Sequence, residues 1–446
     1  MAEKILIDNG IVVTMNPKRE ILRNASVLVE GDRIVDIGDS SEVKRRHKPD
    51  VVISAKDKVV MPGLVNLHFH SDNMSRSVGE HMGLEEWLDD LYYPMLKAMT
   101  HEDVYYTALL AYAEALLSGT TIVNDMYIKL QSCAKAAEKI GIKSVLSSTT
   151  ADLVEGLESL DDNERAIREI DSPSGRVKVW LGVEWLPLCS DEFLQRTREL
   201  ATKYKTGIHI HLNESKGEVD ICLEKYGKRP TERAYEFGVM GPDVVAAHCV
   251  WLSEREMRLY AETGTHISHN PVSNAKLGNG LAKVPELMDL GVNVGLGTDD
   301  SACNDTFNMF ETMKFASLAQ KSRFTDASKM PAMKVLEMAT LNGARALGME
   351  REIGSLEVGK KADIILLDLN VPNMRPVHFG EYSNICQNLV YSSLGNSVDT
   401  VLVDGEVVVA GGKLTKVDLG EIIRKHAELA ADLLERRKKY IKPLPF

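Results

Sequence analysis

The chain has 446 residues, 44% hydrophobic and 26% charged, with a formal net charge of −12. That length can bury a large core and is long for one domain unless the domain is a barrel. The acidic balance, relieved only by a short RRKKY near the end, argues against nucleic acid or an anionic membrane as partner.

Six cysteines (Cys133, Cys189, Cys222, Cys249, Cys303 and Cys386) are scattered without a CxxC, which indicates neither a disulfide framework nor a cysteine zinc knot. No signal peptide is visible and no window approaches about 20 apolar residues, so a cytoplasmic protein without a membrane span is expected.

From the N-terminus, KILIDNGIVVTM, ASVLVEGDRIVDIG and VVISAKDKVVMP alternate like short strands, with DNG and EGD at hairpin turns. The pattern returns late in GSLEVGKKADIILLDL and VDTVLVDGEVVVAGGKL. Each section is too short to fold alone, so residues 1–57 and 352–412 are predicted to form one small β-sandwich domain from both chain ends. Residues 58–351 carry eight apolar runs: 62–69, 119–125, 142–148, 177–185, 206–212, 243–250, 265–270 and 292–300. Helix-compatible stretches join most of them. One, SEREMRLYAETG, places Ser253 three residues before Glu256 as a capping box and ends at Gly264. The fold expected is α/β, a (β/α)8 TIM barrel, with an open α/β sheet as the alternative. Residues 413–446 form a C-terminal helical extension that covers the barrel or joins a partner subunit.

Chemistry on such a barrel gathers at the C-terminal ends of its strands. There the sequence places His68 and His70, then His209, His211 and Glu214, then His248, His266 and His269, and finally Asp299 and Asp300. A lone strand histidine is ordinarily a satisfied core residue. Convergence weakens that reading, because side chains two apart on a strand share a face. The minimal metal site is His68, His70, His211 and Asp299, a donor set suited first to Zn2+ and compatible with Fe2+. His209 is expected to pack beneath His211 or orient it. Glu214 is placed to carry protons, His248 to polarise water, and Asp299 both to bind metal and to hold that water. His269 faces substrate or supports the site, while Asn274 and Lys276 shape its loop. Trp87, Trp185 and Trp251 line the pocket or pack.

PGLVNLHFH, HIHLNES, AAHC, HNPVSNAKLG and GTDD together resemble the metal-dependent amidohydrolase superfamily, within its aminohydrolase and chlorohydrolase branch. The resemblance spans essentially the whole chain. It implies one divalent ion per subunit held by His68, His70, His211 and Asp299, with Glu214 shuttling protons and His248 helping to activate water. Homo-oligomers are expected on the same ground.

Methylthioadenosine and S-adenosylhomocysteine deaminases are similar in HNPVSN and EEWL, but carry a ribose-gripping glutamate in a P-x-E pattern where this chain has Leu96. Loss of that acceptor argues against a ribosyl substrate. YYPMLKAMTHEDV and GTDDSACNDTFNMFETMKFAS look closer to the s-triazine hydrolases. Asp300 and Cys303 stand where the dechlorinating relative has Asn and Ser, which favours ammonia as leaving group. Asn304 reads ring nitrogens or caps the next helix.

The activity expected from sequence is therefore hydrolytic deamination of an aromatic N-heterocycle, an s-triazine such as melamine or a related aminopyrimidine or purine, with release of ammonia. Its alternatives are a triazine chlorohydrolase or N-alkylamine hydrolase, a cyclic amidase, an adenosine-analogue deaminase and a non-catalytic relative.

Overall fold

The computed structural model describes residues 2–441. Strands β1 (Lys4–Val13), β2 (Ile21–Glu30), β3 (Arg33–Asp39), β4 (Val51–Ser54) and β5 (Lys58–Pro62) form one half of a sheet. After the barrel, β14 (Ile364–Asp368), β15 (Val398–Val403), β16 (Glu406–Ala410) and β17 (Lys413–Leu414) complete it. The join is the antiparallel pairing of β5 with β14, in which Val60 faces Leu366. The chain ends thus build one domain, as expected, but its nine strands are hydrogen-bonded into one continuous sheet. Its boundaries also move. Lys58–Pro62 belongs to the sheet rather than the barrel, and β17 carries the sheet past residue 412.

Alternation explains how this sheet adheres to its neighbour. In β14, Ile364 and Leu366 enter the sheet's own core, while Ile365 and Leu367 join the large core shared with the barrel. Val60 and Met61 of β5 divide in the same way.

The eight predicted runs become eight parallel strands in sequential order: β6 (Leu64–Phe69), β7 (Thr120–Tyr127), β8 (Lys143–Ser148), β9 (Val177–Val183), β10 (Ile208–Leu212), β11 (Val244–His248), β12 (His266–His269) and β13 (Val294–Leu296). The cylinder closes just beyond β13, through a single parallel bridge between Phe69 and Asp299. Strand alternation aims the chemistry inward. In β10, Ile208, Ile210 and Leu212 pack into the core shared with the outer helices, leaving His209 and His211 on the opposite face.

The helix 253–264 has the anticipated capping box, and Gly264 closes it in the left-handed region at φ 72°. The C-terminal helix Leu419–Arg437 lies against Tyr93–Ala98 and His101–Leu117. There Arg436 donates to the Ala98 carbonyl (2.7 Å) and to both Asp103 carboxylate oxygens (3.0 Å each). No described helix is long and apolar enough to cross a membrane, and all six cysteines are free and buried.

Candidate active site

Four side chains meet at the C-terminal mouth of the barrel. Asp299 Oδ1 lies 3.2 Å from His68 Nε2 and 3.3 Å from His70 Nε2, and His70 Nε2 lies 3.3 Å from His211 Nε2. The far nitrogens of two of these rings have partners of their own. His70 Nδ1 donates to the Met126 carbonyl (2.6 Å), and His68 Nδ1 is bonded to His209 Nε2 (2.8 Å), whose Nδ1 faces Ser147 Oγ (3.2 Å). Those bonds turn the Nε2 atoms of both rings towards one point. His68 Nε2 is fully buried without a hydrogen-bond partner. Convergent, otherwise unsatisfied imidazole nitrogens around a carboxylate fit a divalent cation of the zinc class. His209 has a different partner from the one expected. It orients His68 across the barrel, not its strand-mate His211.

Glu214 and His248 stand beside this cluster. Glu214 is buried and accepts from Asn279 Nδ2 (3.0 Å), with His248 Nδ1 3.7 Å away. Burial, then the negative charges of Asp299 and Glu218, hold the Glu214 carboxyl well above the usual carboxylate range. Burial also works against charge on Asp299, but the facing rings of His68 and His248 outweigh it and keep that carboxyl well below the usual range. Two carboxyls in one pocket are thereby shifted in opposite directions, a pattern suited to separate acid and base roles. His248 is fixed by Asn274 Oδ1 (2.8 Å), so Asn274 supports the site as well as its loop. His248 (φ 73°) and Asp299 (φ 71°) both adopt left-handed backbone, a conformation costing about 1–3 kcal/mol each. The strain is concentrated on two residues whose side chains must point inward at strand ends.

A small cavity opens over the cluster. Its walls include the expected Trp87 and Cys303, and also Leu84, Leu88, Tyr92, Tyr93, Glu184, Trp185 and Leu277. Four expected substrate contacts lie elsewhere. Leu96 is buried in the wall of a separate cavity with His101 and Ile128. His269 is buried outside the pocket wall, its pKa pushed down to about 3 by burial, with neither ring nitrogen hydrogen-bonded. Asp300 caps the helix Ser301–Asn304 by accepting from Ala302 N (2.6 Å), and Asn304 donates to the Thr298 carbonyl (2.6 Å). Their side chains serve the turn because the chain folds back immediately after Asp299. Trp185 lines the pocket, whereas Trp251 is 40% exposed and donates to the Asn279 carbonyl. Sequence reading passed over Glu184, Tyr92 and Tyr93. The strand end GVEW carried the signal for Glu184, since it follows β9 at the same mouth.

Residues 59–408 match the amidohydrolase family. The chain belongs to that family. It is 38% identical over 97% of its length to a 5'-deoxyadenosine deaminase of Methanosarcina mazei, covering 99% of that protein. It is 39% identical over 96% of its length to a 5-methylthioadenosine/S-adenosylhomocysteine deaminase of Caldanaerobacter subterraneus subsp. tengcongensis, covering 98% of it. A zinc-bound adenosine deaminase from Xanthomonas campestris superposes with a TM-score of 0.90 at 28% identity, with 98% of both chains covered. An atrazine chlorohydrolase from Arthrobacter aurescens TC1 in complex with zinc shares the fold, with a TM-score of 0.86 at 24% identity over 96% of this chain and 100% of that one. The amidohydrolase resemblance drawn from the motifs therefore stands. Within the branch, the weight moves from the triazine hydrolases to the adenosine-analogue deaminases.

Proposed function

We propose that this amidohydrolase removes the 6-amino group of 5'-deoxyadenosine or a 5'-thio-substituted adenosine as ammonia. The observation that carries the reading is near-full-length likeness at 38–39% identity to deaminases of those nucleosides. The pocket is compatible with it. Trp87, Tyr92, Tyr93 and Trp185 offer aromatic faces to a base, and Leu84, Leu88 and Leu277 suit a 5' end that lacks a hydroxyl. The sequence argument against a ribosyl group rested on Leu96, which is not in this wall.

His68, His70, His211 and Asp299 would hold one divalent ion, zinc first, which when bound supplies Lewis-acid activation of water. The chain's own groups do the rest. Protonated Glu214 delivers a proton to the ring nitrogen next to the carbon under attack. Ionised Asp299 and neutral His248 orient the water and take up its proton. The proton taken from water passes on to the amine, which leaves the tetrahedral carbon as ammonia while the new hydroxyl gives up its proton to Glu214 and becomes the carbonyl.

The deciding assay is ammonia release by zinc-loaded protein from 5'-deoxyadenosine, methylthioadenosine, melamine, an aminopyrimidine and atrazine. The nucleosides are expected to turn over best. Preferred turnover of melamine, or chloride release from atrazine, with nucleosides inert would replace this reading with the triazine one.

A further inference from the structure

Glu184 is the one carboxyl in the described pocket wall that the chemistry above leaves unused. It follows β9 directly, its backbone N–H held by the Thr150 carbonyl (3.0 Å), and its side chain is 96% buried, being 4% exposed. Oε2 has no hydrogen-bond partner. Its polar neighbours are the Tyr93 hydroxyl, which interacts with the carboxyl, and the ring of His211, whose Nδ1 lies 3.8 Å away, beyond hydrogen-bonding distance, while His211 Nε2 faces the ligand cluster. Glu184 therefore stands one imidazole ring back from the reacting centre, on the side walled by Tyr93 and Trp185. A buried acceptor without a donor is costly, and in a pocket the missing donor belongs to whatever binds there.

Resting on the nucleoside reading, the substrate's own chemistry narrows the choice. Once the leaving amine sits at the cluster, 5'-deoxyadenosine has two donors left, its 2' and 3' hydroxyls. Its ring nitrogens only accept and would meet Glu184 only in its protonated form, whereas a hydroxyl can donate to the ionised carboxylate, which is available above the value of about 7 to which burial raises it. On the helix that opens the pocket, Leu96 occupies the P-x-E place and lies in the wall of a separate cavity, so that position supplies no acceptor here. We propose that Glu184 accepts a hydrogen bond from a ribose hydroxyl of the substrate and sets the enzyme's preference for a ribosyl over a deoxyribosyl or ring-only substrate.

The test compares kcat/KM of zinc-loaded wild type, Glu184→Ala and Glu184→Gln on 5'-deoxyadenosine and its 2',5'-dideoxy and 3',5'-dideoxy counterparts, with metal content measured for each protein. Removing the engaged hydroxyl should cost wild type about 10–100-fold, the range for a hydrogen bond to a charged group. Glu184→Ala should lose a similar factor on 5'-deoxyadenosine and almost nothing further on the dideoxy substrate. Glu184→Gln keeps the side-chain shape and should show a smaller loss confined to the hydroxylated substrate, which decides the matter if the alanine variant is insoluble. Equal losses on all three substrates, or loss of zinc, would assign Glu184 to holding His211 and overturn the proposal. So would a wild type indifferent to both hydroxyls. Wild type that releases no ammonia from any nucleoside refutes the nucleoside reading itself, a result seen before any variant is made, and the proposal falls with it.

Discussion

The backbone N–H of Asp299 donates to the carbonyl of His68 at 2.9 Å, and the side chains of the same two residues meet at 3.2 Å. The bond that closes the barrel and the contact that centres the site thus join one pair of residues. Loosening the seam should loosen the metal site.

Gly297 tests that coupling. A Cβ there would meet His68 Cβ at 2.7 Å and Asn270 Oδ1 at 2.5 Å. Gly297→Ala is expected to cost about 1–3 kcal/mol of stability, the range for overpacking a filled interior. It should lower zinc affinity in the same protein. Urea denaturation and competition with a chelator check the two effects; unchanged zinc affinity would uncouple seam from site.

His209 reaches the reaction only through His68, to which it is bonded at 2.8 Å. Replacing such an outer partner typically weakens metal binding about 10–100-fold. His209→Ala should lose zinc to a chelator that wild type resists, with activity restored by excess zinc. Zinc affinity equal to wild type would remove His209 from the site.

Glu214, the proposed proton carrier, touches no proposed cation ligand directly in the hydrogen-bond pattern. Glu214→Gln is expected to bind a full complement of zinc while turnover falls about 10²–10⁴-fold. Metal analysis beside single-turnover kinetics separates the two. Full activity in this variant would mean that another group delivers the proton.

Glu218 gives the pH dependence. It accepts from the backbone N–H groups of Asn213 and Glu214 (3.0 and 2.7 Å), and burial raises its pKa from 4.5 to about 8. The folded state therefore binds a proton that the unfolded state releases between those values. Its contribution is fully present below pH 4.5 and lost as pH rises towards 8. Glu218→Gln stays neutral throughout. The stability difference should move in favour of the variant as pH rises through this window, read from urea midpoints at a series of pH values. A difference independent of pH would show that Glu218 titrates normally.

Arg436, on the last helix, satisfies the buried Asp103 carboxylate and the end of the helix that carries Tyr93. Arg436→Ala leaves a buried acceptor short of a donor, at about 1–3 kcal/mol. Because Tyr93 lines the pocket, KM should rise more than kcat falls. A change in kcat alone would place the effect elsewhere.

The amino-acid sequence by itself determined the barrel, its eight strands, the contribution of both chain ends to one sheet, and the six residues that meet at its mouth. Those features rest on short-range regularities: alternation along a strand, turn residues at hairpins, and polar side chains recurring at strand ends. Period-two spacing puts His68 beside His70 and His209 beside His211 whatever surrounds them. Only the tertiary structure decided which walls a substrate meets. Leu96, Asp300 and Asn304 lie close in sequence to groups that reach the pocket, yet the turn of a helix and the fold-back after Asp299 take their side chains away. Glu184 comes from a strand end without a histidine, and its significance lies in a buried carboxylate oxygen, Oε2, without a hydrogen-bond partner, a property of packing that no local pattern encodes. His209 likewise sits beside His211 in sequence but bonds His68 across the barrel, because closure of a cylinder brings together residues that the chain separates.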